Sequence, residues 1–310
     1  MHFPFACSIY FNKNEGWPQG ASLHRPWNLV VAGIRGLEDL LFYVQVSGKG
    51  TVEGCGEDLT YGGKQVHVFN NFKNYAYLLT NREFYHSLWV TLKFAALCVS
   101  IELVLGLVLA ILFSSKHYRL GGAGIAIMLP MAIAPAVIGL VFRWFYSAEV
   151  GFIPYFLHSI GLTSPSWNSN GTAALFSLVI ADVWEWTPYV FLIATAGLKS
   201  IQDELYEAAA IEGAGGWKKI WYVTMPMLRP TIIVIVLLRA IPALKEFDKI
   251  YIMTDGGPGT ATEAASAFIF KQFLWFNNLG TATAAAFILL IIIITASQVM
   301  FGYLRRHEDW

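Results

Sequence analysis

Apolar residues run along this chain in long blocks broken by short polar stretches. Strands would alternate instead, and soluble helices would repeat at three and four. A helix needs about 20 mostly apolar residues to cross a bilayer, and five segments qualify. They are Phe94–Ser115 with one charge, Glu102; Ala123–Phe142 with none but with Pro130 and Pro135; Ala173–Leu198 with Asp182 and Glu185; Thr231–Met253; and Ala282–Leu304 with no charge. The fourth is apolar to Leu238 and then carries Arg239, Pro242, Lys245, Glu246, Asp248 and Lys249. Prolines inside such helices are tolerated where neighbours satisfy the freed carbonyls. The pattern predicts an all-α polytopic membrane bundle.

Between the third and fourth segments the pattern turns polar. Asp203–Glu212 reads as one amphipathic helix with Leu205, Ala208, Ala209 and Ile211 as its small apolar face. Gly213, Gly215 and Gly216 then break it, since glycine takes the backbone angles a reversal needs. Trp217–Val223 reads as a second short helix, with Pro226 and Pro230 at the entry to the next span. A polar hairpin at the mouth of a bundle is shaped to dock into another protein. The alternative is an amphipathic helix lying on lipid, which inserts bulky residues; the first helix offers alanines. Ahead of the spans, Asn12–Lys64 is mixed and glycine-rich with no 20-residue apolar run. The chain therefore divides into an atypical segment 1–68, placed outside the cytoplasm, and a transmembrane domain 69–310 with its hairpin at 203–226.

Charge fixes the orientation. Lys116 and Arg119, then Lys199, Lys218, Lys219 and Arg229, then Arg305 and Arg306 fall on one side, while the opposite loops Ser147–Thr172 and Thr254–Thr281 hold only Lys271. Short cytoplasmic loops carry the excess of Lys and Arg, so the hairpin and the C terminus are predicted to be cytoplasmic. The composition agrees with a membrane protein: 56% hydrophobic, 14% charged and a mean hydropathy of +0.52, against about 25% charged for soluble domains. A net charge of zero lacks the basic footprint of a nucleic-acid binder. Cys7, Cys55 and Cys98 fit no metal or redox spacing, and the start lacks a signal-peptide pattern.

No segment fits a phosphate-cradling GxxxxGK[ST] loop; GKG at Gly48 and GGKQ at Gly62 lack the spacing, and no strand precedes the Gly213 run to make a dinucleotide fingerprint. The chain reads as non-catalytic, with no cofactor or metal of its own. Its chemistry lies in the intramembrane charges, which are costly and face the bundle or a wet cavity. Asp182, Glu185, Trp186 and Tyr189 fall on one helix face. Carboxylates beside aromatic rings suit a sugar, whose hydroxyls hydrogen-bond while its apolar face stacks; bracing of neighbouring helices or a place in an interfacial belt is the alternative. Arg239 and Glu246, seven apart, share a face of the next span, as further pathway candidates or as a structural ion pair. Glu102 reads as a buried hydrogen-bonding partner, with a substrate ligand as the alternative. Asn277 and Asn278, which open the last span, read as a helix cap, with contact to the pathway as the alternative.

Glu207-Ala208-Ala209, three residues, Gly213, nine residues, then Val223-Thr224-Met225-Pro226 resembles the signature of the inner-membrane subunits of binding-protein-dependent ABC importers. That signature ends Ile-x-Leu-Pro, so Val and Met are mild departures. FDKIYIMTDGGPGTATE, Phe247–Glu263, is similar to the TGGGP-like turn of one subunit of the maltose-type sugar permeases. Phe69–Phe94 and Trp184–Ile201 also resemble that family, and the likeness covers about residues 69–308. Family members have six spans, and HFPFACSIYF resembles only the outer end of the first. The resemblance implies a coupling helix, carried by Glu207, Ala208, Ala209, Gly213 and Pro226, that seats in a cytoplasmic ATPase. It further implies a second, different permease, two ATPase copies holding ATP and Mg, an external solute-binding protein, and a sugar cargo crossing a bacterial or archaeal plasma membrane. Two rivals stand beside it. One is an ion-gradient-driven secondary transporter or channel using Asp182, Glu185 and Glu102, which should show inverted-repeat halves; none is visible. The other is a membrane scaffold without transport.

Overall fold

The computed structural model describes residues 60–61, 64–65, 72–113, 127–163, 167 and 170–308. Nearly all of segment 1–68 lies outside these residues, apart from two short antiparallel strands, β1 Thr60–Tyr61 and β2 Lys64–Gln65. The helices are α1 Lys73–Thr80, α2 Arg82–Phe113, α3 Pro135–Phe145, α4 Phe152–Ser159, α5 Gly171–Lys199, α6 Asp203–Ile211, α7 Gly216–Leu244, α8 Asp248–Thr254, α9 Ala265–Leu274 and α10 Leu279–Glu308. Asparagines start two of the long bundle helices, α2 and α5. Asn81 Oδ1 accepts from the amides of Glu83 and Phe84, and Asn170 Oδ1 from those of Thr172 and Ala173, covering donors that no helical carbonyl reaches.

Among the described residues, four helices are long and apolar enough to cross a membrane: α2, α5, α7 and α10. The second expected span, Ala123–Phe142, is broken, and its first four residues are not described. A 3-10 turn at Pro130–Ala132 gives way to extended Ile133 and Ala134 before α3 begins at Pro135. A proline pushes its predecessor out of the helical region, which places the break at Ala134. The fourth expected span, Thr231–Met253, is shifted. Its helix begins at Gly216 and ends at Leu244, and α8 is a separate turn beyond Lys245. The hairpin's second short helix is therefore the first turns of α7. A widened π turn at Ile220–Thr224 leads into Pro226 without a break, and the Thr224 hydroxyl donates to the Lys219 carbonyl at 3.3 Å.

Small residues bring the helices together, as is usual where lipid supplies no hydrophobic drive. A Cβ on Gly106 of α2 would stand 2.5 Å from Val190 Cγ1 of α5, and one on Gly197 of α5 would stand 2.7 Å from Thr231 of α7. Two apolar clusters result. One joins Phe94 and Cys98 of α2, Ile138 and Phe142 of α3, Leu178 and Val179 of α5, and Ile250 and Met253 of α8. The other, toward the hairpin, joins Leu107, Val190, Phe191, Ala194, Leu228 and Ile235. Helix α10 packs beside them through Ala284 and Ala285 against Leu78, Phe84 and Phe268.

Candidate functional site

Two polar features interrupt the apolar bundle. The first is α6, whose acids Asp203 and Glu204 sit in its first turn, where the helix dipole favours negative charge. It ends on Gly213 at φ +76°. The Gly213 amide donates to the Ala210 carbonyl and the Ala214 amide to the Ala209 carbonyl, the pairing of a Schellman cap that a left-handed residue makes possible. Glycine at this point of the hairpin motif is thus a backbone requirement. Glu207, Ala208, Gly213 and Pro226 are exposed and Ala209 is half-buried. The Tyr206 hydroxyl meets Thr224 Oγ1 at 3.1 Å and ties α6 to α7. Between them lies a cavity of about 750 Å³, lined by Ile111 of α2, Leu198 and Lys199 of α5, and Tyr206, Glu207 and Thr224. The ends of α2 and α5 and the start of α7 therefore meet around α6. Ile211, Trp217, Trp221 and Tyr222 stand largely exposed beside it, a bulky surface that the alanine face of α6 did not announce.

The second feature lies between the two apolar clusters. Along α2, Glu102 falls between Cys98 and Leu107; along α5, Asp182 and Glu185 fall between Val179 and Val190. Arg239 of α7 donates through Nε and Nη2 to the two oxygens of Glu102, at 2.6 and 2.8 Å, and through Nη2 to Asp182 at 2.9 Å. Lys249 of α8 bonds Asp182 and Glu185 through Nζ, each at 2.5 Å, and reaches Glu246 at 3.2 Å. Glu102, Asp182, Glu185, Arg239 and Lys249 are at most 1% exposed. Buried charges are tolerated when each finds a counter-charge and hydrogen bonds. The Arg239 guanidinium also lies 4.6 Å from the centre of the Trp186 ring, within cation–π range. Trp186 in turn meets Tyr189 edge-on at 5.8 Å, and both rings are half-buried.

The structure thus brings Asp182, Glu185, Arg239 and Glu246 into one cluster, with Trp186 and Tyr189 at its edge. The expected Arg239–Glu246 pairing is not what forms. Because α7 stops at Leu244, the seven-residue spacing does not run along a single helix; Arg239 turns to Glu102 and Asp182, and Glu246 to Lys249. Lys249, counted above among the charges of the fourth span, is absent from the pathway candidates drawn from the sequence. Its signal was a cation three residues after Glu246 inside a span already counted as charged. Cys98 Sγ, Glu102 and Asp182 place possible metal-ligand atoms within 4.8 Å of one another, but both carboxylates already accept from protein cations. Asn278 caps α10 at the amide of Thr281.

The turn after α8 is braced from several sides. Asp255, Gly256 and Gly259 have positive φ and the Gly257–Pro258 bond is cis. Thr254 and Thr262 hydroxyls meet at 2.8 Å. Lys271 donates to Glu263 and to the Asp255 carbonyl, His86 meets the Thr260 carbonyl, and Arg143 donates to that of Ile252.

Residues 102–307 match the family described as binding-protein-dependent transport system inner membrane component. The trehalose/maltose transport system permease protein MalF of Thermococcus litoralis is 35% identical over 77% of this chain and 81% of its own length. The sulfoquinovosyl glycerol transport system permease protein SmoG of Agrobacterium fabrum is 30% identical over 77% and 78%. A chain of a bacterial ABC transporter that imports the acidic polysaccharide alginate shares the fold, with a TM-score of 0.72 at 20% identity over 91% of this chain and 95% of that one.

Proposed function

The chain belongs to the inner-membrane components of binding-protein-dependent transport systems, and on that premise we propose that it is the permease subunit of an ATP-driven sugar importer in which α6 docks into the ATPase. The observation that carries this reading is α6 itself: a charged, capped, exposed helix seated where α2, α5 and α7 converge, bearing the Glu207–Gly213–Pro226 spacing. ATP and Mg belong to the partner ATPase, and this chain carries no catalytic step. A second permease completes the pathway, and an external solute-binding protein delivers the cargo. The Lys and Arg distribution supports a cytoplasmic hairpin and C terminus, in a bacterial or archaeal plasma membrane.

Closure of the ATPase displaces α6. The Tyr206–Thr224 contact passes that displacement to α7, and the spans turn from inward- to outward-facing while the binding protein releases its sugar. The cargo contacts proposed are Trp186 and Tyr189, which are half-exposed, with Asp182, Glu185, Arg239 and Glu246 setting their electrostatics from behind. Sugar as the cargo rests on the naming of the Thermococcus relative for trehalose and maltose and on this aromatic edge. The gradient-driven rival needs Asp182, Glu185 and Glu102 as an ion relay, and all three are bound to Arg239 or Lys249. In the test, Glu207→Ala and Gly213→Pro each abolish uptake by the assembled transporter while the binding protein keeps its sugar affinity. Proline cannot adopt positive φ, so the second variant removes the α6 cap. Uptake at the normal rate in both would reject the docking role.

A further inference from the structure

The cluster of Glu102, Asp182, Glu185, Arg239, Glu246 and Lys249 draws its members from α2, α5, α7, α8 and the link between the last two. All of it but Glu246, whose side chain is 12% exposed, is sealed: Arg239 and Glu185 are 1% exposed and Glu102, Asp182 and Lys249 are 0% exposed. Apolar clusters close it on either side. Sliding one of these elements past another would strip a charge of its partner where neither water nor lipid can replace it, because hydrocarbon does not solvate ions. Apolar contacts carry no such restriction, since lipid tails replace them at little cost. Helix α10 is joined to the rest by contacts of that second kind, Ala284 and Ala285 on Phe84 and Phe268, and Ile293 beside Ala95 and Ala243.

We propose that the ion cluster fuses α2, α5, α7 and α8 into one moving body, with Arg239 and Lys249 as positioning residues that hold its parts in register. Resting on the importer reading above, this adds where the molecule stays rigid. Displacement received at α6 arrives undiminished at α8 and its braced turn at the far end, and the conformational change is confined to joints outside the cluster, α10 among them. Lys249 is central to the far half. It anchors the short α8, which has no other charged link to α5 among the described contacts.

The test places spin labels on the outward faces of α2 and α7, at Leu105 and Leu238, which are 43% and 40% exposed, in the complete transporter with its partner permease, ATPase and binding protein. Their separation is measured nucleotide-free and with ATP trapped. In the otherwise native chain the distance is expected to stay constant to within about 1–2 Å, the scale of small helix shifts. In the E102L/R239M pair it is expected to move beyond that. This pair removes both ends of the α2–α7 link while Asp182 keeps Lys249. A shift in the native chain, or constancy in both, overturns the proposal. Should the pair not assemble, Arg239→Lys takes its place: it keeps the charge but loses the two-pronged grip on Glu102, and a distance as constant as in the native chain overturns the proposal. Sugar uptake by the same preparation judges the importer reading separately. A native complex that assembles and imports nothing would reject that reading and, having no driven motion, this inference with it.

Discussion

Helix α6 and the ion cluster are both polar interruptions of an apolar chain, and they handle charge in opposite ways. Glu204, Glu207 and Glu212 stand in the open. In the cluster, two cations bind four carboxylates almost out of reach of solvent. Stability and function therefore separate along the chain. A substitution in the cluster is felt first in folding, because it strands a buried charge. At the exposed acids of α6 it is felt first by a partner, because Glu204, Glu207 and Glu212 face outward. An exposed polar helix that the chain itself scarcely uses marks a docking element, whereas a sealed polar cluster marks a joint.

The largest expected effect breaks the joint. Arg239→Met leaves Glu102 buried without a counter-charge, and losing one partner of a buried ion pair costs about 3–5 kcal/mol. The melting midpoint of the purified chain in detergent should fall sharply, or its yield collapse. Adding Glu102→Leu should recover most of the loss, since removing both charges is often nearly neutral. A double variant no more stable than the single would show that the charges themselves, and not their pairing, hold the helices.

A second effect bears on the helices that carry the cluster. Gly106→Val places a side chain into Val190 and the Phe191 backbone, forcing α2 from α5 just below Glu102. Overpacking of this kind costs about 1–3 kcal/mol. Thermal unfolding of the variant should show it, and an unchanged midpoint would mean that the two helices are less closely seated than the geometry states.

How much of this was legible in the sequence differs between the two features, for a physical reason. The hairpin is local. Its acids, its glycine break and its spacing lie within two dozen residues, so composition and pattern name it, even to the glycine whose positive φ makes the cap. The cluster is not local. Glu102 and Arg239 are 137 residues apart, and Asp182 and Lys249 are 67 apart; each reads alone as an awkward charge in a span, and nothing in periodicity pairs them. Span boundaries fall between these cases. Pro130 and Pro135 were visible, but a membrane helix tolerates proline in one setting and breaks in another. Pro226 and Pro230 lie inside a continuous α7, while Pro135 starts a new helix. Neighbouring backbone decides the outcome, as the π turn ahead of Pro226 shows.

The smallest effect sharpens the comparison, because it touches a place where the exposed helix reaches the bundle. Tyr206→Phe deletes the hydroxyl that meets Thr224 and leaves the ring on the cavity wall. A single hydrogen bond contributes about 0.5–1.5 kcal/mol, so the midpoint should move by little. If α6 drives α7 through this contact, uptake per ATP hydrolysed by the assembled transporter should fall by more than the stability does, while ATP hydrolysis itself continues. An unchanged ratio would assign the transmission to the apolar contacts of Tyr206 and Ile111 around the cavity, and would make α6 a docking surface whose grip on the bundle does not depend on any one polar bond.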